Sequence, residues 1–214
     1  MRTFALKILA VATLQSMAFA VPCSAAAPAV STETIVMIRH GEKPADDADI
    51  GQLTCQGQNR ALALPNVLLT RYGTPDALFA QKPQKDESDN DGSYYSLRAL
   101  ATIEPTAIAA ARTVKLGYRV DDIAGLQHEL LKSKFDNATV FIAWEHKKLE
   151  DLAKNLVKAA GGDDSVVPKW HGDDFDSIYI VQIQRSGSST SVSFKTDAEQ
   201  LDNQPTSCAG APAS

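Results

Sequence analysis

The chain reads as an α/β sandwich with a largely parallel central sheet, and three observations predict it. Residues 34–38 and 139–144 are short apolar runs rich in β-branched and aromatic side chains, the pattern of strands buried on both faces. Segments with helical apolar spacing separate these runs from one another and from the later strands. Each of the two runs also ends at a histidine, His40 or His146, where a strand hands over to a loop or helix. In a parallel sheet the carboxyl ends of strands line one edge, so residues far apart in sequence can meet there.

Ahead of the first strand the chain carries the marks of an export signal. Arg2 and Lys7 precede a mostly apolar run over residues 8–19, and Ala18-Phe19-Ala20 places small residues at the last and third-last positions before a cut. The organisation that follows is a signal peptide over residues 1–20, with cleavage near Val21 or as late as residue 27, and a flexible leader over 21–32. A single domain over 33–195 and an irregular tail over 196–214 complete the chain. Pro22 ahead of Cys23 is a poor lipid-attachment signal, which points to a periplasmic or secreted product with no membrane association after cleavage. The alternative, an uncleaved anchor, is disfavoured because the apolar run is short for a membrane span.

Along the domain, residues 41–53 form a polar loop after the first strand, and residues 56–69 read as a helix with Ala61, Leu62, Leu64 and Leu68 as its apolar positions. Pro65 interrupts that pattern. Residues 76–80 form a second strand, and residues 82–91, rich in Lys, Asp, Ser and Asn, read as an exposed insertion. Helices are expected over 105–116 and 123–134, with Arg98 in the loop before the first of them. After the strand at 139–144, a helix over 147–160 ends at Gly161-Gly162. Residues 177–184 and 191–194 alternate as two strands joined by a turn at 186–189. The tail has no periodicity and is loose unless Cys208 pins it.

The formal charge of -5 becomes -7 once residues 1–20, with two basic side chains and no acidic one, are removed. An acidic chain without a cluster of arginine or lysine argues against a nucleic-acid partner. Roughly 190 residues remain, enough for one domain with a real core. In an oxidising compartment Cys55 and Cys208 could form one disulfide tying the tail to the body, or stay as two thiols; their spacing does not suggest a metal site.

Two histidines and two arginines, His40, His146, Arg39 and Arg98, have the chemistry of a dianion pocket in which one imidazole is free to attack. At this point the residues resemble a family. Met37-Ile-Arg39-His40-Gly41-Glu42-Lys43 resembles the Arg-His-Gly signature of the histidine phosphatase superfamily, and is similar to its first, phosphoglycerate mutase-like branch. Leu53-Thr54, Gly57 and Arg60-Ala61 resemble the opening of that family's first helix. Ser96-Leu97-Arg98, Thr102 and Glu104-Pro105 resemble its second arginine segment, and residues 140–146 resemble the strand that carries the second histidine. Tyr179-Ile180-Val181 is similar to a late strand, so the resemblance spans roughly residues 33–194.

The resemblance implies a phosphoglycerate mutase-like three-layer sandwich and a phosphomonoester hydrolase that needs no metal or organic cofactor. It implies that His40 is a nucleophile forming a phosphohistidine, with its other nitrogen held by an acceptor, often a backbone carbonyl of the following loop. Arg39, Arg98 and His146 would hold the phosphoryl oxygens. The acid that protonates the leaving group is not selected by any motif. The position after the second histidine is Lys147, Glu42 and Glu129 are the candidate acids, and Asp121 and Asp122 fall in the same broad region.

Lys43, Lys147 and Lys148 either rim the pocket or form a solvated face. Acidic residues in 46–50 and 82–91 would place negative charge near the entrance, favouring a small phosphorylated molecule over an inositol polyphosphate. His128 and His171 read as surface residues, and Arg60 as either structural or solvated. Two alternative functions stay open: a phosphate-ester-binding or regulatory protein of the same fold with little turnover, and a phosphomutase.

Overall fold

The computed structural model describes residues 29–45, 50–85 and 94–210. The expected signal peptide, most of the leader and most of the insertion at 82–91 lie outside the described residues. Ten principal elements follow in order: β1 (Val30–Arg39), α1 (Cys55–Tyr72), β2 (Ala77–Ala80), α2 (Arg98–Ala109), β3 (Val114–Lys115), α3 (Ile123–Leu130), β4 (Thr139–Trp144), α4 (His146–Ala159), β5 (Ser177–Ser186) and β6 (Ser189–Ala198). They build one six-stranded sheet in the order β3-β2-β4-β1-β5-β6. The first four strands in that order are parallel, and β5 and β6 add an antiparallel edge.

Alternation along the central strands splits the core into two layers. Ile35 and Met37 of β1 with Val140, Ile142 and Trp144 of β4 face Leu149, Leu152 and Leu156 of α4 and Leu126 and Leu130 of α3. Val36 and Ile38 with Phe141 and Ala143 face Leu64 and Leu68 of α1 and Ala99 and Ile103 of α2. Helices therefore cover both faces of the sheet, the three-layer sandwich expected from the alternating pattern.

β4 and the strand-rich run at 34–38 lie where their composition predicts, although β1 extends at both ends to Val30–Arg39 because β5 pairs along nearly all of it. α1 runs through Pro65, since Ala61, Leu64 and Leu68 are buried on both sides of it and packing outweighs one lost backbone bond. Leu62 is an exception to the expected apolar face and is exposed.

The helix expected over 105–116 is corrected to α2, Arg98–Ala109. Ala99, Thr102, Ile103, Thr106 and Ala107 are buried at spacings of three and four, so the helix begins before Pro105, which sits inside it. Arg98 is consequently the first helical residue and does not precede the helix in a loop. Ala111 takes a positive φ of 52°, and the chain leaves the helix for the two-residue strand β3. The helix expected over 123–134 stops at Leu130 and is followed by a 3-10 turn, Ser133–Phe135.

The tail is not loose. β6 continues to Ala198, Cys208 is bonded to Cys55, Asn59 Nδ2 donates to the carbonyls of Pro205 and Ser207, and Gln56 Nε2 donates to that of Asp202. Among the described residues, no helix is long and apolar enough to cross a membrane.

Candidate active site

β1 and β4 are adjacent and parallel, with Arg39 opposite Trp144, so their carboxyl ends lie side by side. The His40 N–H donates to the Trp144 carbonyl at 3.0 Å, extending the ladder by one bond into the loop. His146 opens α4 immediately beyond β4. Together with Arg39 and Arg98, these histidines line a cavity of about 530 Å³ at that edge of the sheet.

The loop after His40 is fixed by close packing against α1 and α2. The Gly41 N–H donates to Thr102 Oγ1 at 2.9 Å, and the Thr102 hydroxyl donates to the Arg98 carbonyl at 2.8 Å. This chain of bonds ties the histidine loop to the first turn of the arginine helix. A Cβ at Gly41 would lie 2.9 Å from the Gly57 carbonyl oxygen, and one at Gly57 would lie 2.5 Å from that of Glu42. Both glycines are therefore needed for backbone to approach backbone. Thr54 caps α1 by accepting from Gly57 N at 3.1 Å, while its own N–H donates to the Glu42 carbonyl at 2.8 Å.

His40 is 4 % exposed, with Nδ1 2.8 Å from the Gly41 carbonyl oxygen. A carbonyl only accepts, so Nδ1 carries the proton and Nε2 is left with its lone pair. Burial pushes the imidazole pKa down to about 3, assisted by the positive charges of Arg39 and Arg98, although the Gly41 bond opposes the shift. At neutral pH the ring is thus an uncharged base with a defined tautomer.

Arg39 is held from behind. Its Nη1 donates to the carbonyls of Gly172 at 2.7 Å and Asp174 at 3.0 Å, and its guanidinium stacks 3.7 Å above the Phe175 ring. Its Nε is buried without a hydrogen-bond partner among the described residues. Burial lowers its pKa to about 10, which leaves it charged at neutral pH.

Glu145 is the main site residue that sequence reasoning passed over. It lines the cavity, caps α4 by accepting from Lys148 N at 2.9 Å, and brings Oε1 to 2.7 Å from His146 Nδ1. Burial raises its pKa, but His146 and the N–H groups of Lys147 and Lys148 outweigh this and bring it down to about 2. Glu145 is therefore a fixed anion beside the Nδ1 side of His146. Its place beside His146 in sequence was a visible signal; its cap was not.

Glu42 and Glu129, the candidate acids, are engaged elsewhere. Glu42 forms a bidentate pair with Arg60, and Glu129 pairs with Lys132 at 2.7 Å and with Lys134. Neither lines the cavity, whose carboxylates among the described residues are Asp121 and Glu145. His128 and His171 are exposed. Lys43, Lys147 and Lys148 do line the cavity, joined by Lys85 and Arg119, which were not singled out from the sequence because they come from separate loops. Beside His40 lies a recess of about 50 Å³ whose Gln81 Oε1 and Ser96 Oγ are buried without hydrogen-bond partners among the described residues. Among those residues, no group of three or more His, Cys, Asp or Glu is placed to hold a metal.

No protein-family profile matches the chain, and no curated protein matches it. Solved structures do. One is a protein assigned as the phosphohistidine phosphatase SixA from Nakamurella multipartitia, at 16 % identity and a TM-score of 0.51, covering 79 % of this chain and 97 % of that one. Another is a phosphoglycerate mutase from Plasmodium falciparum, at 9 % identity and a TM-score of 0.50, covering 85 % and 99 % respectively. At these identities the likeness is one of fold: the chain has the phosphoglycerate mutase-like α/β sandwich.

Proposed function

We propose that this protein is a member of the histidine phosphatase superfamily, on its phosphoglycerate mutase-like branch, and hydrolyses small phosphomonoesters through a phosphohistidine on His40 without a metal. The observation that carries this reading is the state of His40: a buried, neutral imidazole with Nδ1–H committed to Gly41 and Nε2 left as a lone pair, in a cavity shared with Arg39, Arg98 and His146.

In the first step Nε2 attacks phosphorus and the ester oxygen departs with the bonding electrons, taking a proton. As positive charge develops on the imidazole, the Nδ1–H bond to the carbonyl strengthens. Arg39 and Arg98 balance the charge on the phosphoryl oxygens, and His146, held by Glu145, supplies a further donor. In the second step water attacks phosphorus and gives a proton back to the group that protonated the leaving oxygen, while the N–P bond breaks and returns its electron pair to Nε2. The recess lined by Gln81 and Ser96 is polar and large enough for an ordered water beside His40. For the leaving group, Glu145 is held ionised, so among the described residues that line the cavity Asp121 is the carboxylate we assign to proton delivery. Its exposed position suits esters with good leaving groups.

The Cys55–Cys208 bond supports an exported protein working in an oxidising compartment, periplasmic or secreted. The reading is tested by phosphate release from p-nitrophenyl phosphate across pH 4 to 8, with chelator present and His40→Ala alongside. Chelator-resistant turnover that disappears in the variant supports it. Turnover that survives in the variant overturns it.

A further inference from the structure

One short segment outside the two signature strands, residues 170–175, touches three of the four site residues. The carbonyls of Gly172 and Asp174 accept from Arg39 Nη1 at 2.7 Å and 3.0 Å. The Arg39 guanidinium carbon lies 3.7 Å from the centroid of the Phe175 ring, and the same ring is 6.1 Å, centroid to centroid, from the His40 imidazole. A Cβ at Gly172 would stand 3.9 Å from His146 Nε2, so the segment also runs alongside the second histidine.

The segment is held rigidly at both ends. Trp170 roots it in the core: its indole is 2 % exposed, lies 4.1 Å from the Tyr179 ring, and donates from Nε1 to the Asp174 carbonyl at 3.1 Å. The Trp170 N–H donates to Glu150 Oε2 at 2.9 Å. The Asp174 side chain closes the turn into β5 by accepting from the N–H groups of Asp176 and Ser177, at 3.0 Å and 2.9 Å, and from the Ser177 hydroxyl at 2.6 Å. The Asp174 carbonyl thus accepts from both Trp170 and Arg39, as its two lone pairs allow, and ties the arginine to the core.

Phe175 differs from Trp170 in what it packs against. It is half-buried, belongs to neither layer of the hydrophobic core, and does not line the cavity; its ring meets Arg39 and His40 instead. Resting on the phosphatase reading above, we infer that Phe175 is a positioning residue, whose ring fixes the plane of the Arg39 guanidinium and walls one side of the His40 imidazole from water. With Nη1 held by two carbonyls and the plane held by the ring, Nε and Nη2 of Arg39 are left as a preset fork for phosphoryl oxygens. The charges around His40 come from Arg39, Arg98 and Glu145, and its Nδ1 is committed to Gly41. Phe175 adds no charge, so it acts on the imidazole by excluding water.

The test compares Phe175→Leu, which removes the ring, with Phe175→Tyr, which keeps it, in mature full-length protein. Kinetics on p-nitrophenyl phosphate are measured beside the His40 imidazole resonance, followed from pH 8 down to pH 4. Phe175→Leu is expected to lower kcat/KM about tenfold or more, with the larger share in kcat. Its His40 is expected to begin titrating at least about one pH unit higher than in the parent. Phe175→Tyr is expected to stay within about twofold of the parent in kcat/KM, with the parent's titration. Parent-like kinetics or parent-like His40 titration in Phe175→Leu overturns the inference, as does a Phe175→Tyr protein impaired equally with Phe175→Leu. Where Phe175→Leu does not fold, Phe175→Met takes its place; if neither folds, the ring's role is structural and the inference is overturned. If the parent releases no phosphate, the phosphatase reading fails separately. The His40 titration then decides: an upward shift in Phe175→Leu sustains the inference, and no shift overturns it.

Discussion

Arg60, with no exposed surface, grips Glu42 through two nitrogens, Nε at 3.0 Å and Nη2 at 2.7 Å, and so anchors the loop two residues past His40. Its Nη1 reaches Glu199 at 2.7 Å and Asp176 at 3.1 Å, and Nη2 also meets Asp202 at 2.9 Å. One buried guanidinium thereby joins α1, the histidine loop, the segment before β5 and the tail. Removing it leaves carboxylates stranded in the interior. Arg60→Met is expected to lower stability by about 3–5 kcal/mol in urea unfolding, and to lower activity through loss of the loop position. A change under about 1 kcal/mol contradicts this role.

The same cluster makes stability depend on pH. Burial pushes the Glu199 pKa up to about 8, against the pull of Arg60, because neighbouring Asp176 and Glu42 compete for that single cation. The ordinary value is 4.5, so between about 4.5 and 8 the folded protein holds a proton that the unfolded chain has released. This contribution is fully present below the unfolded pKa and is lost as pH rises through the folded one. Glu199→Gln keeps an acceptor for Arg60 and removes the titration. Relative to the parent, its melting temperature is expected to rise more at pH 8 than at pH 5; an equal shift at both pH values argues against a protonated Glu199.

His40 behaves in the opposite sense. Its folded pKa of about 3 lies below the ordinary 6.5, so the unfolded chain takes up a proton that the folded state refuses, and stability is lost as pH falls from 6.5 towards 3. In imidazole NMR spectra, the resonance absent from His40→Gln is expected to stay constant between pH 5 and 8. Its titration near 6.5 would mean that the ring is open to solvent.

Gly57 has no room for a methyl group, with the Glu42 carbonyl oxygen 2.5 Å and its nitrogen 2.7 Å from where a Cβ would stand. Gly57→Ala is expected to cost about 1–3 kcal/mol and to displace the loop that carries Gly41, so turnover falls more than stability alone explains. Parent-like kcat and melting temperature would show that α1 can retreat.

The bond from Cys55 to Cys208 closes a span of 153 positions and holds the tail against α1. Cys55→Ser/Cys208→Ser is expected to lose about 2–5 kcal/mol and to expose residues near 205 to protease first. Unchanged unfolding after reduction would place the tail's stability in Arg60 and Asn59 instead.

Much of this architecture was legible in the sequence because its signals were local. Residues 139–144 form an unbroken apolar run with a polar boundary at each end, and β4 fills it. Gly161-Gly162 likewise marked the end of α4. Prolines misled where burial outweighed backbone cost: Pro105 looked like a helix start, yet the buried stripe from Ala99 to Ala107 passes through it. Arg60 could not be assigned from its helix alone, since its partners at 42, 176, 199 and 202 come from three other segments. The basic lining of the cavity was only partly visible for the same reason. Lys147 and Lys148 adjoin a histidine of interest, whereas Arg119 and Lys85 reach the cavity only through the turns that follow β3 and β2.

The most direct measurement of the central claim is rapid acid-free quenching of the protein during turnover of p-nitrophenyl phosphate, followed by intact mass and peptide mapping. The account predicts one added phosphoryl group, stable in base and lost in acid, on the peptide containing His40, and none in His40→Gln. Phosphate release without any such adduct on a competent time scale, or an adduct that persists in His40→Gln, would contradict it.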